Sequence, residues 1–267
     1  TCALRSNLTP VTLELGGKSP GIIADGFDLA ETARRLMYGK LMNAGQTCVA
    51  PDYALVPAAT VARFIEACRA AATAFYPTLA TNPQYTSIIN DRQFRRLTAC
   101  IEDARALGAT VHALHGEPTD AERRRLSPVA LTGVNDQMRV MQEEIFGPVL
   151  PVVGYDSIDE AIAYVNARPR PLALYYFGAA DDRLDAVLTR TISGGVTVNN
   201  TAFHVVQEDL PFGGVGPSGM GHYHGRAGFD TFSKLKPVFL DGRLSGSGFL
   251  MPPYGRRFRA ILRLLYR

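Results

Sequence analysis

Two residues of this 267-residue chain are of types that do covalent and acid–base chemistry, and both stand in surroundings that tune such groups. Cys48 lies in Asn43-Ala44-Gly45-Gln46-Thr47-Cys48-Val49-Ala50-Pro51, a glycine-broken turn after a helical pattern. A cysteine there is accessible. A helix starting near Pro51 would also turn its first amides toward the thiol and favour the nucleophilic thiolate. Glu14 lies in VTLEL (11–15), an apolar strand-like run, and is followed by Leu15-Gly16-Gly17-Lys18-Ser19-Pro20. A carboxylate in such a run is costly unless paired or functional, and burial raises its pKa toward neutrality, which suits a general base. The plain alternative is a strand-edge glutamate facing solvent. The other cysteines are Cys2, Cys68 and Cys100. No spacing among the four suggests zinc or a CxxC redox pair. Cys68 and Cys100 fall in alanine- and leucine-rich helical patterns and read as buried and inert.

The elements that position these residues follow from apolar periodicity, which alternates between short β-like and longer helical runs. VTLEL (11–15), GIIA (21–24), YALVP (53–57), TVHAL (110–114), SPVALTG (127–133), VLPVVGY (149–155), LALYYFG (172–178) and GGVTVNN (194–200) read as strands. Helices are expected from an Asp28 cap to about Met42, over 60–76, from an Asp91 cap to about Leu107, after Ser157, and over 181–191. This alternation predicts an α/β fold with a largely parallel sheet and flanking helices. Residues 1–210 read as the α/β domain, and 211–267 as a glycine-rich loop, an extended segment and a basic amphipathic tail.

Hydrophobic residues make up 46% of the chain and charged residues 20%, with 25 Gly, 17 Pro and no Trp, which excludes a collagen-like chain, a coiled coil and a disulfide mini-scaffold. No apolar run reaches the roughly 20 residues a spanning helix needs. No secretory leader is visible, which predicts a cytoplasmic protein with reduced thiols. The net charge of +3 conceals an asymmetry. Residues 241–267 hold six Arg and one acid, Asp241, whereas the other 240 residues carry 22 basic and 24 acidic side chains. The body therefore has no basic footprint for nucleic acid. In the tail, Phe258, Ile261, Leu262 and Leu265 fall on one helical stripe. Docking on the body or on a second subunit is the preferred reading of that stripe, and a membrane-surface segment the alternative.

Several motifs mislead. Gly214-Val215-Gly216-Pro217-Ser218-Gly219 satisfies GxGxxG but neither follows a strand nor opens a helix, so it reads as a flexible glycine loop. Gly16-Gly17-Lys18-Ser19 resembles the end of a phosphate-binding loop, but the first glycine would have to stand at Thr12. His222 and His224 have no carboxylate or thiol cluster beside them in the sequence, so no metal site is expected. The sequons at Asn7 and Asn199 carry little meaning without secretion.

Taken together, the chemical residues resemble a known family. VTLELGGKSP (11–20) is similar to the general-base motif of the NAD(P)-dependent aldehyde dehydrogenases and GQTCVA (45–50) to their nucleophile motif, with Glu14 and Cys48 separated by 34 positions. EEIFGPVLPV (143–152) resembles the family's cofactor-contacting motif, and PFGGVGPSGMG (211–221) a loop near the end of its fold. HGRAGFDTFSKLKPV (224–238) and the following PPY are most similar to the class 3 and coniferyl aldehyde dehydrogenase branch.

The resemblance implies oxidation of an aldehyde to an acid with NAD or NADP. Cys48 is the implied nucleophile, forming a thiohemiacetal and then a thioester, and Glu14 the implied base for hydrolysis. Glu144 is the implied partner of the nicotinamide ribose, and Phe146 helps place the ring. The Cys48 backbone N–H is one implied oxyanion donor; the family's other donor is an asparagine. The family's chain is longer, and its dinucleotide-binding half, with that asparagine and an oligomerisation strand, precedes the VTLELGGKSP motif. The resemblance is expected from about residue 8 to about 240, not over Thr1–Ser6. The chain, which starts with Thr1 and not Met, therefore reads as a catalytic half lacking that N-terminal part. The full-length form is expected to be a homodimer. Two alternatives stay open: an inactive fragment serving as an assembly or binding module, and a thiol esterase that needs no cofactor.

Overall fold

The computed structural model describes residues 9–266, so Cys2, Asn7 and Arg267 lie outside the described residues. Among the described residues there are nine strands: β1 (Leu13–Glu14), β2 (Pro20–Ile23), β3 (Tyr53–Pro57), β4 (Thr110–Ala113), β5 (Val129–Thr132), β6 (Val149–Tyr155), β7 (Ala173–Phe177), β8 (Gly195–Val198) and β9 (Gly219–Met220). Seven of them form one sheet in the order β4-β5-β6-β3-β2-β7-β8. Every pairing in it is parallel except β4 with β5. The central strands are apolar on both faces because helices cover both. Ile23, Ala54, Val56, Tyr175 and Phe177 pack on one side with Leu36, Met37, Phe64 and Ile65. Their alternates Ile22, Leu55, Leu174 and Tyr176 pack on the other with Ile162, Val165, Leu184 and Val187. This is the period-two alternation of a strand read from both sides.

The helices are α1 (Leu29–Leu41), α2 (Val61–Phe75), α3 (Asp91–Ala106), α4 (Arg139–Gln142), α5 (Ile158–Asn166), α6 (Asp182–Arg190), α7 (Phe203–Val206), α8 (Gly225–Phe232) and α9 (Arg256–Leu265). Asp28, Ser157 and Asp181 cap α1, α5 and α6 by accepting backbone N–H groups, which satisfies amides that have no partner within the helix. The α3 cap is Asn90, whose side chain accepts from Gln93 N–H, so Asp91 is the first helical residue and not the cap. Cys68 and Cys100 are buried, as expected.

Three expectations need correction. Of VTLEL, only Leu13–Glu14 is strand, and it lies outside the main sheet, in an antiparallel ribbon with β9 (Leu13 opposite Met220, Glu14 opposite Gly219). No helix begins at Pro51; the chain runs directly into β3. Residues 211–221 are packed, not flexible: Gly213 lies against the Gly221 carbonyl, Gly214 against that of Ser218, and the Ser218 side chain is buried. Two short helices, α7 and α8, also interrupt the stretch expected to be loop. The chain divides into two compact units, one ending at Phe232 and the other spanning Ser233–Arg267. In the second, α9 carries Phe258, Ile261 and Leu262 partly shielded, with the Phe258 ring 4.6 Å from that of Tyr254.

Candidate active site

The turn that carries Cys48 begins where α1 ends. Met42–Gly45 forms a single tight turn in which Asn43 (φ 51°) and Ala44 (φ 52°) adopt the left-handed conformation, unfavourable for alanine and held only by its surroundings. Gln46 supplies much of that hold. Its Nε2 donates to Asn43 O (3.0 Å) and Ser87 O (3.1 Å), and its Oε1 accepts Ile89 N–H (2.9 Å). Gly45 (φ 74°) lies between the Lys40 and Gly147 carbonyls, where a side chain has no room. This turn presents Cys48 half-buried, with Ala50 N–H donating to Thr47 O (3.0 Å).

Glu14 reaches the same place from the β1–β9 ribbon. Its Oε1 accepts the Gly16 N–H (2.9 Å), and Leu15 N–H donates to Ser218 O (3.0 Å), fixing the ribbon to the packed glycine loop. The Glu14 carboxylate lies beside the Cys48 thiol. Burial first, then Glu14 and Glu144, push the thiol up to about 11. The thiolate that a helix at Pro51 would favour is thus replaced by a thiol raised by burial and two nearby carboxylates.

Glu144 and Phe146 complete the group, and sequence reasoning missed what holds them. Lys18 forms a buried ion pair with Asp52 and donates to the carbonyls of Val140 (2.8 Å) and Glu143 (3.0 Å). Asp52 Oδ1 accepts Ile145 N–H (2.8 Å). The pair therefore pins the loop that carries Glu144 and Phe146. The Glu144 carboxyl sits against Gly16 and near the Gly17 backbone; burial, then Asp52, push it up to about 7. Phe146 (φ 51°) exposes its ring. Beside Glu144 is a cavity of about 390 Å³ bordered by Gly17, Lys18, Met141, Pro217 and Ser218. Lys40, fully buried, has Asp52, Lys18 and Glu144 as its charged neighbours, and burial holds its ammonium down to about 8. Its signal was legible: it falls on the stripe Ala33, Leu36, Met37, Lys40, the buried face of α1.

On the other flank, Phe212 packs edge-on to Tyr223 (5.4 Å) and stacks on His224 (5.6 Å). Tyr223 lies near enough to Glu14 and Cys48 for both to raise its hydroxyl, after burial. Among the described residues no group of three or more His, Cys, Asp or Glu is placed to hold a metal.

Comparison with known proteins covers this whole arrangement. The family model described as "Aldehyde dehydrogenase family" matches residues 2–238, so residues 2–6 also fall within family sequence, contrary to expectation. The chain is 53% identical over 265 residues to a protein named "Probable coniferyl aldehyde dehydrogenase" from Pseudomonas aeruginosa, covering 99% of this chain and 54% of that protein. Its fold matches the structure described as "Substrate bound state of Staphylococcus Aureus AldH" with a TM-score of 0.88 and 39% identity, over 99% of this chain and 57% of that one. It also matches an indole-3-acetaldehyde dehydrogenase in complex with NAD+ (TM-score 0.78, 30% identity, 88% of this chain and 48% of that one). The chain spans about half the length of the relatives it matches. Because the match runs through every motif that builds the site, the chain belongs to the aldehyde dehydrogenase family.

Proposed function

We propose that this chain carries the catalytic apparatus of an NAD(P)+-dependent aldehyde dehydrogenase. One observation carries the reading: the Glu14 and Glu144 carboxylates both lie close enough to the Cys48 thiol to raise it. Glu14 takes the thiol proton, and the sulfur adds to the aldehyde carbon to give a thiohemiacetal. The Cys48 N–H donates to the oxygen that becomes negative. Loss of hydride from that carbon leaves a thioester on Cys48. Glu14 passes the thiol proton to solvent and, ionised again, removes a proton from water as it attacks; the C–S bond breaks, the thiolate leaves, and the acid departs.

The residues present fit the nicotinamide end of the cofactor. Glu144 offers a half-buried acceptor seated on Gly16 and Gly17, which suits ribose hydroxyls, and Phe146 offers an exposed flat face. NAD(P)+, when bound, supplies the hydride acceptor. The aromatic border of Phe212, Tyr223 and His224 suits an aromatic aldehyde such as coniferyl aldehyde. The test is NADH or NADPH formation from coniferyl aldehyde by the full-length protein. Turnover undiminished in Cys48→Ala would sink the nucleophile assignment.

A second activity is favoured by the Cys48–Glu14 pair lying wholly within this chain. Acyl transfer from an ester to Cys48, followed by hydrolysis driven by Glu14, needs no hydride acceptor. A burst of p-nitrophenol from p-nitrophenyl acetate that disappears in Cys48→Ala would establish it.

A further inference from the structure

Tyr175, in the middle of β7 (Ala-Leu-Tyr-Tyr-Phe), is fully buried. Its hydroxyl donates to the Val49 carbonyl, one residue beyond the nucleophile, and lies beside the backbone of Ala202. Ala202 is itself held in the left-handed conformation (φ 64°) immediately before α7. The hydroxyl thus ties a central strand to the turn that carries Cys48. The peptide of the held Val49 carbonyl also carries the Ala50 N–H, which donates to Thr47 O (3.0 Å), and Thr47 O belongs to the same peptide as the Cys48 N–H, so the tie reaches that N–H through the turn's own hydrogen bond. Cys48 also lies close enough to influence the hydroxyl. No other side chain is recorded holding the Val49 carbonyl among the described residues.

We propose that Tyr175 is a positioning residue for oxyanion stabilisation: by holding the Val49 carbonyl it fixes the direction of the Cys48 backbone N–H. This rests on the reading of Cys48 as an acyl-accepting nucleophile. It separates two reactions of the same sulfur. Acylation by an ester builds negative charge on the carbonyl oxygen and needs that donor. Alkylation by iodoacetamide displaces iodide from carbon, builds no oxyanion, and needs only the thiolate.

The experiment compares Tyr175→Phe with the unmodified full chain, each treated in parallel with p-nitrophenyl acetate and with iodoacetamide, with Cys48 labelling read by mass spectrometry. The ring and its packing are kept and only the hydroxyl is lost. Acylation is expected to slow about ten- to a hundredfold, the range in which a misplaced catalytic group acts. Alkylation is expected to keep its rate. The ratio of the two rates, taken on one sample, is insensitive to a smaller folded fraction. A chain with 3-fluorotyrosine in place of Tyr175 keeps the hydroxyl and its hydrogen bond to Val49 and should retain the unmodified ratio. An unchanged ratio in Tyr175→Phe, or equal slowing of both reactions, overturns the positioning role. If the unmodified chain alkylates at Cys48 but never acylates, the nucleophile reading itself fails, and the Tyr175 assignment with it.

Discussion

The Glu144 carboxylate rests on the backbone of Gly16, so close that a Cβ added at Gly16 would lie 2.7 Å from both carboxylate oxygens. Gly16 directly follows the ribbon that carries Glu14, and its N–H donates to Glu14. One residue without a side chain therefore spaces the two carboxylates of the site. Its φ of 75° also lies where L side chains are strained.

Gly16→Ala should therefore act on both functions together. The methyl group has to displace the Glu144 carboxylate, and alanine at positive φ adds a strain of about 1 kcal/mol or more. The expected outcome is a lower melting temperature, a raised KM for NAD(P)+, and slower deacylation measured separately with an ester. A variant with unaltered KM and stability would show that Glu144 does not depend on this seat.

Glu144 should give the protein a recognisable pH dependence. Burial, then the Asp52 carboxylate, raise it from 4.5 to about 7. The folded state thus holds the proton more tightly than the unfolded chain. Its stabilising contribution is complete below 4.5 and is lost as pH rises through about 7. Glu144→Gln removes that slope. The melting temperature of the unmodified protein should fall relative to the variant across this window, and parallel curves would contradict the shift.

How much of this was legible in the sequence depends on how far apart the interacting residues lie. The sheet strands and the Asp28 and Ser157 caps rest on local periodicity and nearby acceptors, so single segments reveal them. Asn90 and Asp91 are adjacent, equally competent acceptors, and only the backbone conformation selects Asn90. β1 joined β9 instead of the main sheet because its partner, Gly219–Met220, is a distant glycine-rich loop with no strand signal of its own. Glu14, Cys48, Glu144 and Phe146 were visible as motif residues. The Lys18–Asp52 pair and Tyr175 were not, because their roles exist only through contacts distant in sequence.

Replacing Glu14 should move the two reactions of Cys48 in opposite directions. The Glu14 carboxylate helps to hold the thiol up at about 11, so Glu14→Gln lowers it. More thiolate is then present at neutral pH, and although a less basic thiolate is intrinsically slower, alkylation gains about threefold for each tenfold rise in thiolate fraction. Deacylation, deprived of its base, should fall by about 10²- to 10⁴-fold. Iodoacetamide kinetics alongside burst and steady-state ester hydrolysis read both. Unchanged alkylation in the variant would place Glu14 too far from the sulfur to act on it, and slower alkylation would show that its role in taking the thiol proton outweighs the effect of its charge.

Lys40 tests whether the buried charges beneath the site are there for stability. Burial holds its ammonium down to about 8, against an ordinary 10.5, despite the opposing effect of Asp52. The folded state therefore disfavours the charged form. The stability this group allows is present above 10.5 and is lost as pH falls through about 8. Lys40→Met keeps the length of the side chain and removes the charge, while Asp52 keeps its pair with Lys18. Replacing a buried ion in this way is commonly neutral or stabilising by about 1–4 kcal/mol. At neutral pH the variant should match or exceed the unmodified protein in urea midpoint, and its advantage should shrink as pH rises above about 8. A loss of about 3–5 kcal/mol at neutral pH would instead identify Lys40 as a counter-ion whose removal strands Asp52 or Glu144.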